Sequence, residues 1–180
     1  TASNLLSLSR ILLLIPILYL LLNPSSENRL VAAALMVVAA ATDFLDGVIA
    51  RKYDQESEFG RVLDPLADKM CAGAVVIVLS ALGDVPTWFV LAVIGRDILI
   101  LLGGLYIART KKVVLHSSWA GKITMGVVAL FLIIATLQVE ALNTLKFILL
   151  WGSTAFLAFS LFTYCKRFYE TVLAKTELAQ

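Results

Sequence analysis

Charge is what this sequence has least of: Asp, Glu, Lys and Arg make up 16% of its 180 residues, against 60% hydrophobic. Soluble domains run near ~25% charged and ~45–50% apolar, so the balance is that of a membrane protein. The net charge of +2 gives no electrostatic footprint for nucleic acid. There is one histidine, His116, in a polar stretch where it reads as solvated. The two cysteines, Cys71 and Cys165, lie far apart in apolar runs. Neither has metal-ligand spacing, so both read as reduced packing residues and no zinc site is expected. No A-x-A-like cleavage site follows the first apolar run, so no signal peptide is expected. No long linker, repeat or low-complexity tract divides the chain, and residues 1–180 read as a single membrane domain.

What is there in quantity is apolar sequence of membrane-crossing length. A spanning helix needs about 20 residues, and runs near 5–22, 30–50, 63–82, 87–108, 121–138 and 144–165 approach that. The breaks carry turn chemistry: "NPSSEN" at 23–28, "GDVP" at 83–86 and "RTKKVVLHSS" at 109–118. The runs are too long for strands and do not alternate with period two. The expected fold is all-α, an integral membrane bundle of six transmembrane helices. With six spans, eleven cations share one side: Arg10, Arg51, Lys52, Arg61, Arg109, Lys111, Lys112, Lys122, Lys166, Arg167 and Lys175. Arg29 and Lys146 fall on the other, and Lys69 and Arg96 lie within spans. That asymmetry predicts that both termini are cytoplasmic. Trp88, Trp119 and Trp151 sit near span ends or breaks and read as interfacial anchors.

Against this background the stretch "ATDFLDGVIARKYDQESEFGRVLDPLADK", residues 41–69, places Asp43, Asp46, Asp64 and Asp68 at the ends of two apolar runs. An intramembrane carboxylate costs several kcal/mol and normally faces a polar cavity. On helices, 43, 46, 47 and 50 share one face, and so do 60, 64 and 68. Both sets lie toward the cytoplasmic ends of their helices, so a helical hairpin would gather the four carboxylates. Together and unneutralised, they would repel and take up protons. One or two hard divalent cations, Mg²⁺ or Mn²⁺, would relieve this, since oxygen ligands suit them and no His or Cys is near. The small Gly47 and Ala50 on the same face would let a bulky ligand approach. Two other readings stay open from the residues alone: a proton relay in a transporter, and structural ion pairs with Arg51, Lys69 or Arg96.

The spacing Asp43-x2-Asp46-Gly47-x2-Ala50-Arg51-x8-Gly60-x3-Asp64-x3-Asp68 resembles, at every fixed position, the signature of the CDP-alcohol phosphatidyltransferases. The opening "SNLLSLSR" is similar to the family's "PNLLTLSR" start, with Ser3 in place of the proline. The resemblance implies a two-metal site, Mg²⁺ or Mn²⁺, on the cytoplasmic face. Asp43, Asp46 and Asp64 would hold the metals, and Asp68, also at the site, would be the general base. Gly47 and Ala50 would make room for the cytidine nucleotide, with Asp46, Arg51 and Gly60 helping to hold it and Asn4 nearby. It also implies a homodimer; the expected setting is a bacterial inner membrane, with an organelle membrane as the alternative.

The signature defines the CDP-linked donor, here expected to be CDP-diacylglycerol, and leaves the acceptor to other segments. "GRDILILLGGLYIARTKK" and "SSWAGKITMG" are similar to features of bacterial phosphatidylglycerophosphate synthases and their relatives. Thr124 makes the second match partial. Arg96, Arg109, Lys111 and Lys122, with Lys112, would suit a phosphate on the acceptor. For the lysines, topology and contact with anionic headgroups are the competing explanations, and Arg96 has Asp97 as a structural partner in reach. The expected reaction is phosphatidyl transfer to glycerol 3-phosphate with release of CMP. The alternatives are a cardiolipin synthase acting on phosphatidylglycerol, an inositol-phosphate acceptor and, outside this chemistry, the carboxylate-relay transporter.

Overall fold

The computed structural model describes the backbone of residues 2–53, 60–111 and 119–173, and the side chains of residues 12–42, 69–107, 109–110 and 119–172. Six helices account for nearly all of this: α1 (Ala2–Leu22), α2 (Ser26–Tyr53), α3 (Gly60–Ala81), α4 (Thr87–Lys111), α5 (Trp119–Leu137) and α6 (Asn143–Leu173). A 3-10 turn, Glu140–Leu142, precedes α6, and no strand occurs among the described residues. The six apolar runs match the six helices. The helices extend further, most of all α2 to Tyr53 and α6 to Leu173, because hydropathy marks only the apolar part, whereas helical hydrogen bonding continues through charged residues. Three helical segments among the described residues are long and apolar enough to cross a membrane: Thr87–Ile107, Trp119–Leu137 and Glu140–Val172. Leu12–Leu22 and Lys69–Ala81 are shorter apolar segments.

Local chemistry sets the helix ends. Ser25 Oγ accepts the Asn28 backbone N–H at 3.1 Å, so it caps α2, and Glu27 in the first turn suits the positive end of the helix dipole. After α3, Gly83 takes a φ of 82°. The Asp84 N–H then reaches back to the Leu79 carbonyl (2.9 Å) and the Gly83 N–H to that of Ser80 (3.0 Å). This is a Schellman cap, and it needs a residue that tolerates the left-handed region. Gln138 ends α5 with a φ of 52°, and its side-chain amide donates to the Ala135 carbonyl at 3.0 Å, satisfying one of the orphan carbonyls there.

The helices run up and down and pack as two four-membered rings that share one edge. In the first ring α1 touches α2 and α3, and α5 touches the same two from the opposite side. In the second, α3 and α5 are joined to α4 and α6, which contact each other. The α3–α5 edge is common to both. α4 and α6 run parallel: Trp88 meets Trp151 (centroids 6.0 Å), Tyr164 Oη donates to the Ile100 carbonyl (2.9 Å), and Tyr106 meets Phe168 (6.0 Å). A Cβ on Gly103 would come within 2.8 Å of that Tyr164 hydroxyl, so a side chain there would force the tyrosine to move. The buried core among the described residues includes Leu21, Ala32, Val76, Leu79, Phe89, Val128 and Phe131, with Phe89 and Phe131 edge to face at 5.0 Å. The outward surface is also apolar: Leu91 is 69% exposed and Phe162 68%. Apolar groups on both sides of the helix layer are what lipid contact requires, and the chain is a membrane protein.

One end of the bundle carries the α1–α2, α3–α4 and α5–α6 connections, and a single cation joins them. Arg29 Nη1 lies 2.7 Å from Asp84 Oδ2 and donates to the Thr136 carbonyl at 3.2 Å. Both side chains are largely buried, at 15% and 9% exposure. Removing one member of such a pair strands the other charge, so Arg29→Met or Asp84→Leu should each cost about 3 kcal/mol. The double variant should cost less than the two combined. Unfolding of the detergent-solubilised chain, followed by circular dichroism, reads both quantities; strictly additive losses would contradict the pairing.

Candidate active site

The four aspartates lie on two helices whose backbones are continuous through the motif. Asp43, Asp46, Gly47, Ala50 and Arg51 fall in the second half of α2, and Gly60, Asp64 and Asp68 in the first half of α3. Because α3 begins at Gly60, positions 60, 64 and 68 share one helical face, and Pro65 sits in the second turn rather than the first. Asn4 is in the first turn of α1, the helix that packs against both α2 and α3. The side chains of these residues lie outside the described set, as does the connection 54–59.

Helix arithmetic fixes their level. Asp43 is 17 residues past Ser26, and Asp64 is 17 residues before Ala81 (43 − 26 = 17 and 81 − 64 = 17). At 1.5 Å per residue both backbones are roughly 25 Å from the Arg29–Asp84 end, with Asp46 and Asp68 about one turn to either side. The motif therefore occupies one layer of the first ring. The hairpin expectation changes in one respect. α2 packs on α1 and α5, whereas α3 packs chiefly on α1, then on α4 and least on α5, so α1 lies between the two motif helices and neither packs mainly on the other.

A second polar layer lies on the Asp84 side of the motif. Arg96, nine residues into α4, is 93% buried, being 7% exposed. Its Nη1 donates to Asp97 Oδ1 at 2.6 Å, and its Nη2 to Ser160 Oγ on α6 at 2.5 Å. Met125 Sδ on α5 lies 4.0 Å from Nη1. Asp97 Oδ1 also faces Lys69 Nζ on α3 at 4.0 Å. Arg96 Nε is buried without a hydrogen-bond partner. Beside this cluster the Thr124 hydroxyl lies 2.7 Å from the Ala120 carbonyl and 3.0 Å from that of Phe156, tying α5 to α6. Four helices thus converge on one guanidinium and its carboxylate.

The other basic residues stand elsewhere. Arg109 is exposed on the last turns of α4, 13 residues beyond Arg96 (109 − 96 = 13), which is roughly 20 Å along the helix. Lys111 is the last residue of α4, and its side chain lies outside the described set. Lys122 is exposed in the first turn of α5. Lys112, His116 and Ser118 fall in the segment 112–118, outside the described residues. The structure therefore separates Arg96 from Arg109 rather than grouping them, and ties Arg96 to Asp97. Sequence reasoning did not single out Ser160, whose only signal is one hydroxyl in the apolar run "AFLAFSLF". It noted Lys69 as an intramembrane cation but did not connect it to Asp97.

Comparison with known proteins follows the same residues. Residues 1–159 match the pattern of the family described as CDP-alcohol phosphatidyltransferase. A protein of Mycobacterium tuberculosis named "Probable phosphatidylglycerophosphate synthase" is 37% identical over 125 residues, 67% of this chain and 58% of its own length. The "CDP-diacylglycerol--glycerol-3-phosphate 3-phosphatidyltransferase" of Aquifex aeolicus is 38% identical over 143 residues, 78% of this chain and 75% of its own length. The Bacillus subtilis protein of the same name is 38% identical over 95 residues, covering 53% and 49%. The chain thus spans a little over half the length of the mycobacterial relative it matches and three quarters of the Aquifex one. With the complete aspartate motif on two helices of an apolar six-helix bundle, this chain belongs to the CDP-alcohol phosphatidyltransferase family.

Proposed function

We propose that this protein transfers the phosphatidyl group of CDP-diacylglycerol to glycerol 3-phosphate, forming phosphatidylglycerophosphate and releasing CMP. The observation that carries the reading is the full motif on α2 and α3 at one level of the bundle. The names of the bacterial relatives, taken with the phosphorylated acceptor they imply, support the choice of glycerol 3-phosphate. Also part of the reading are six membrane spans, both termini and the motif facing the cytoplasm, residence in a bacterial inner membrane and a homodimeric assembly. The cation asymmetry supports the orientation: eleven Lys and Arg on the motif side against two on the other, of which Arg29 is neutralised by Asp84.

The donor set fits two divalent cations. It offers the four motif carboxylates, and no thiolate or imidazole lies between residues 41 and 69, which suits Mg²⁺ or Mn²⁺ and not zinc. Asp43, Asp46, Asp64 and Asp68 would hold them, and the chemistry they would supply is positive charge to offset that of the diphosphate and the departing CMP. The chain's own residues do the rest. Gly47 and Ala50 leave room for the nucleotide on the α2 face, and Asp46, Arg51, Gly60 and Asn4 orient it. Asp68 takes the proton of the acceptor hydroxyl as its oxygen attacks the β-phosphorus. The bond to the CMP oxygen then breaks, and most of the acceleration comes from positioning and preorganised charge. Arg109, Lys111 and Lys122, toward the motif side of α4 and α5, serve the acceptor phosphate; Arg96, roughly 20 Å along α4 from Arg109, is not grouped with them.

Two experiments test this. CMP release from CDP-diacylglycerol, measured with glycerol 3-phosphate, phosphatidylglycerol and inositol phosphate in turn, should proceed with glycerol 3-phosphate alone and stop with EDTA. Release with phosphatidylglycerol alone makes the protein a cardiolipin synthase. Ion-driven flux in vesicles that survives EDTA makes it a transporter. Asp68→Asn should lower turnover by about 10²-fold or more, the scale of a lost general base, while CDP-diacylglycerol still binds. Turnover within a few-fold of the unaltered protein would remove Asp68 from the base role.

A further inference from the structure

The polar layer beneath the motif has a charge pattern that the reaction leaves unexplained. Lys69 and Arg96 carry two positive charges, and Asp97 is the carboxylate that meets both, at 4.0 Å and 2.6 Å. Arg96 has a second anchor in Ser160. Lys69 immediately follows Asp68 on α3 and is 30% exposed, with its ammonium turned to α4. A lysine at this place has two kinds of carboxylate to choose from: Asp97 across the helix interface, or the aspartates of its own helix. In a medium of low dielectric it cannot stay without one.

We propose that Asp97 is a positioning residue of the aspartate site: it holds the Lys69 ammonium on α4 and so keeps it from competing for the motif carboxylates. Without Asp97 the layer beneath the motif carries two uncompensated cations, one of them on the residue adjoining Asp68. A flexible four-carbon stem lets that ammonium swing toward the aspartates. Either as a direct partner or as an added positive potential, it weakens the hold of those carboxylates on a divalent ion. The inference rests on the metal-binding reading of the aspartates given above.

Mn²⁺ binding to the full chain in detergent micelles, followed by the electron paramagnetic resonance of free Mn²⁺, tests the proposal without turnover. Asp97→Asn should raise the dissociation constant by about three- to tenfold, the scale of one partly screened charge near the site. Lys69→Met should bind Mn²⁺ at least as tightly as the unaltered chain. The double variant, in which the net charge is restored, should return to within about twofold of it. Asp97→Glu, which keeps the charge, should stay close to the unaltered chain. An unchanged constant in Asp97→Asn overturns the proposal, as does a double variant no better than Asp97→Asn. So does weakened binding in Lys69→Met, which depends on no loss of buried negative charge and guards against a misfolded Asp97→Asn. If the unaltered chain binds no Mn²⁺, the metal reading itself fails and takes this inference with it. If it binds and only the Asp97 comparison fails, the metal reading stands.

Discussion

A charge inside an apolar bundle has to meet its counter-charge, and among the described residues two such pairs join different elements of the fold. Arg29 of α2 finds Asp84 after α3, and Asp97 of α4 faces Lys69 of α3. Lipid tails are as apolar as leucine, so burial of apolar surface does not decide which helices become neighbours. Close packing and the few polar contacts decide it. The Arg29 bridge fixes one end of the first ring, and the Arg96–Asp97 layer fixes the middle of the second. Between them they set how far each helix is pushed along its axis, and that in turn sets the level of the motif.

α3 is where the two requirements meet. It belongs to both rings, ends in the Schellman cap that presents Asp84, carries Lys69 at its middle and begins with Asp64 and Asp68. A slip of one turn, about 5.4 Å, would part Lys69 from Asp97, draw Asp84 away from Arg29 and move two of the four aspartates off the level of the other two. The same rigid element that stabilises the bundle is therefore the one that places half of the candidate site. A helix with no partner at either end would have no such constraint.

Much of this was legible in the sequence. The six apolar runs located the six helices, with ends within a few residues apart from the extension of α6 to Leu173, because hydropathy and turn chemistry report directly on helix-length segments. The aspartate spacing placed both motif faces on helices without reference to any tertiary contact. Tertiary choices were not legible. That α1 would lie between α2 and α3, with neither motif helix packing mainly on the other, is a matter of tertiary packing, and no local pattern encodes that. Nor did the sequence reveal that Arg96 and Arg109, grouped by charge, stand about 20 Å apart on one helix. Ser160 was invisible because a single hydroxyl in an apolar helix looks like any helix-packing serine until its partner is known.

The placement of the Arg96–Asp97 pair also has a chemical logic. Arg96 and Asp97 stand nine and ten residues into α4, roughly 15 Å from the Arg29–Asp84 end, whereas the motif backbones lie at roughly 20–30 Å. On the proposed metal-binding reading, a cation level with the motif would neutralise the carboxylates meant to serve as ligands. A cation far from it would leave the first half of α3 without an anchor to α4. One turn below is the compromise: near enough to brace the helix that carries Asp64 and Asp68, and supplied with a carboxylate of its own. The arrangement works only if that carboxylate outcompetes the motif for Lys69. The direct 2.6 Å contact that Asp97 makes with the buried Arg96 favours this, because it holds the carboxylate at the interface whether or not the lysine is there.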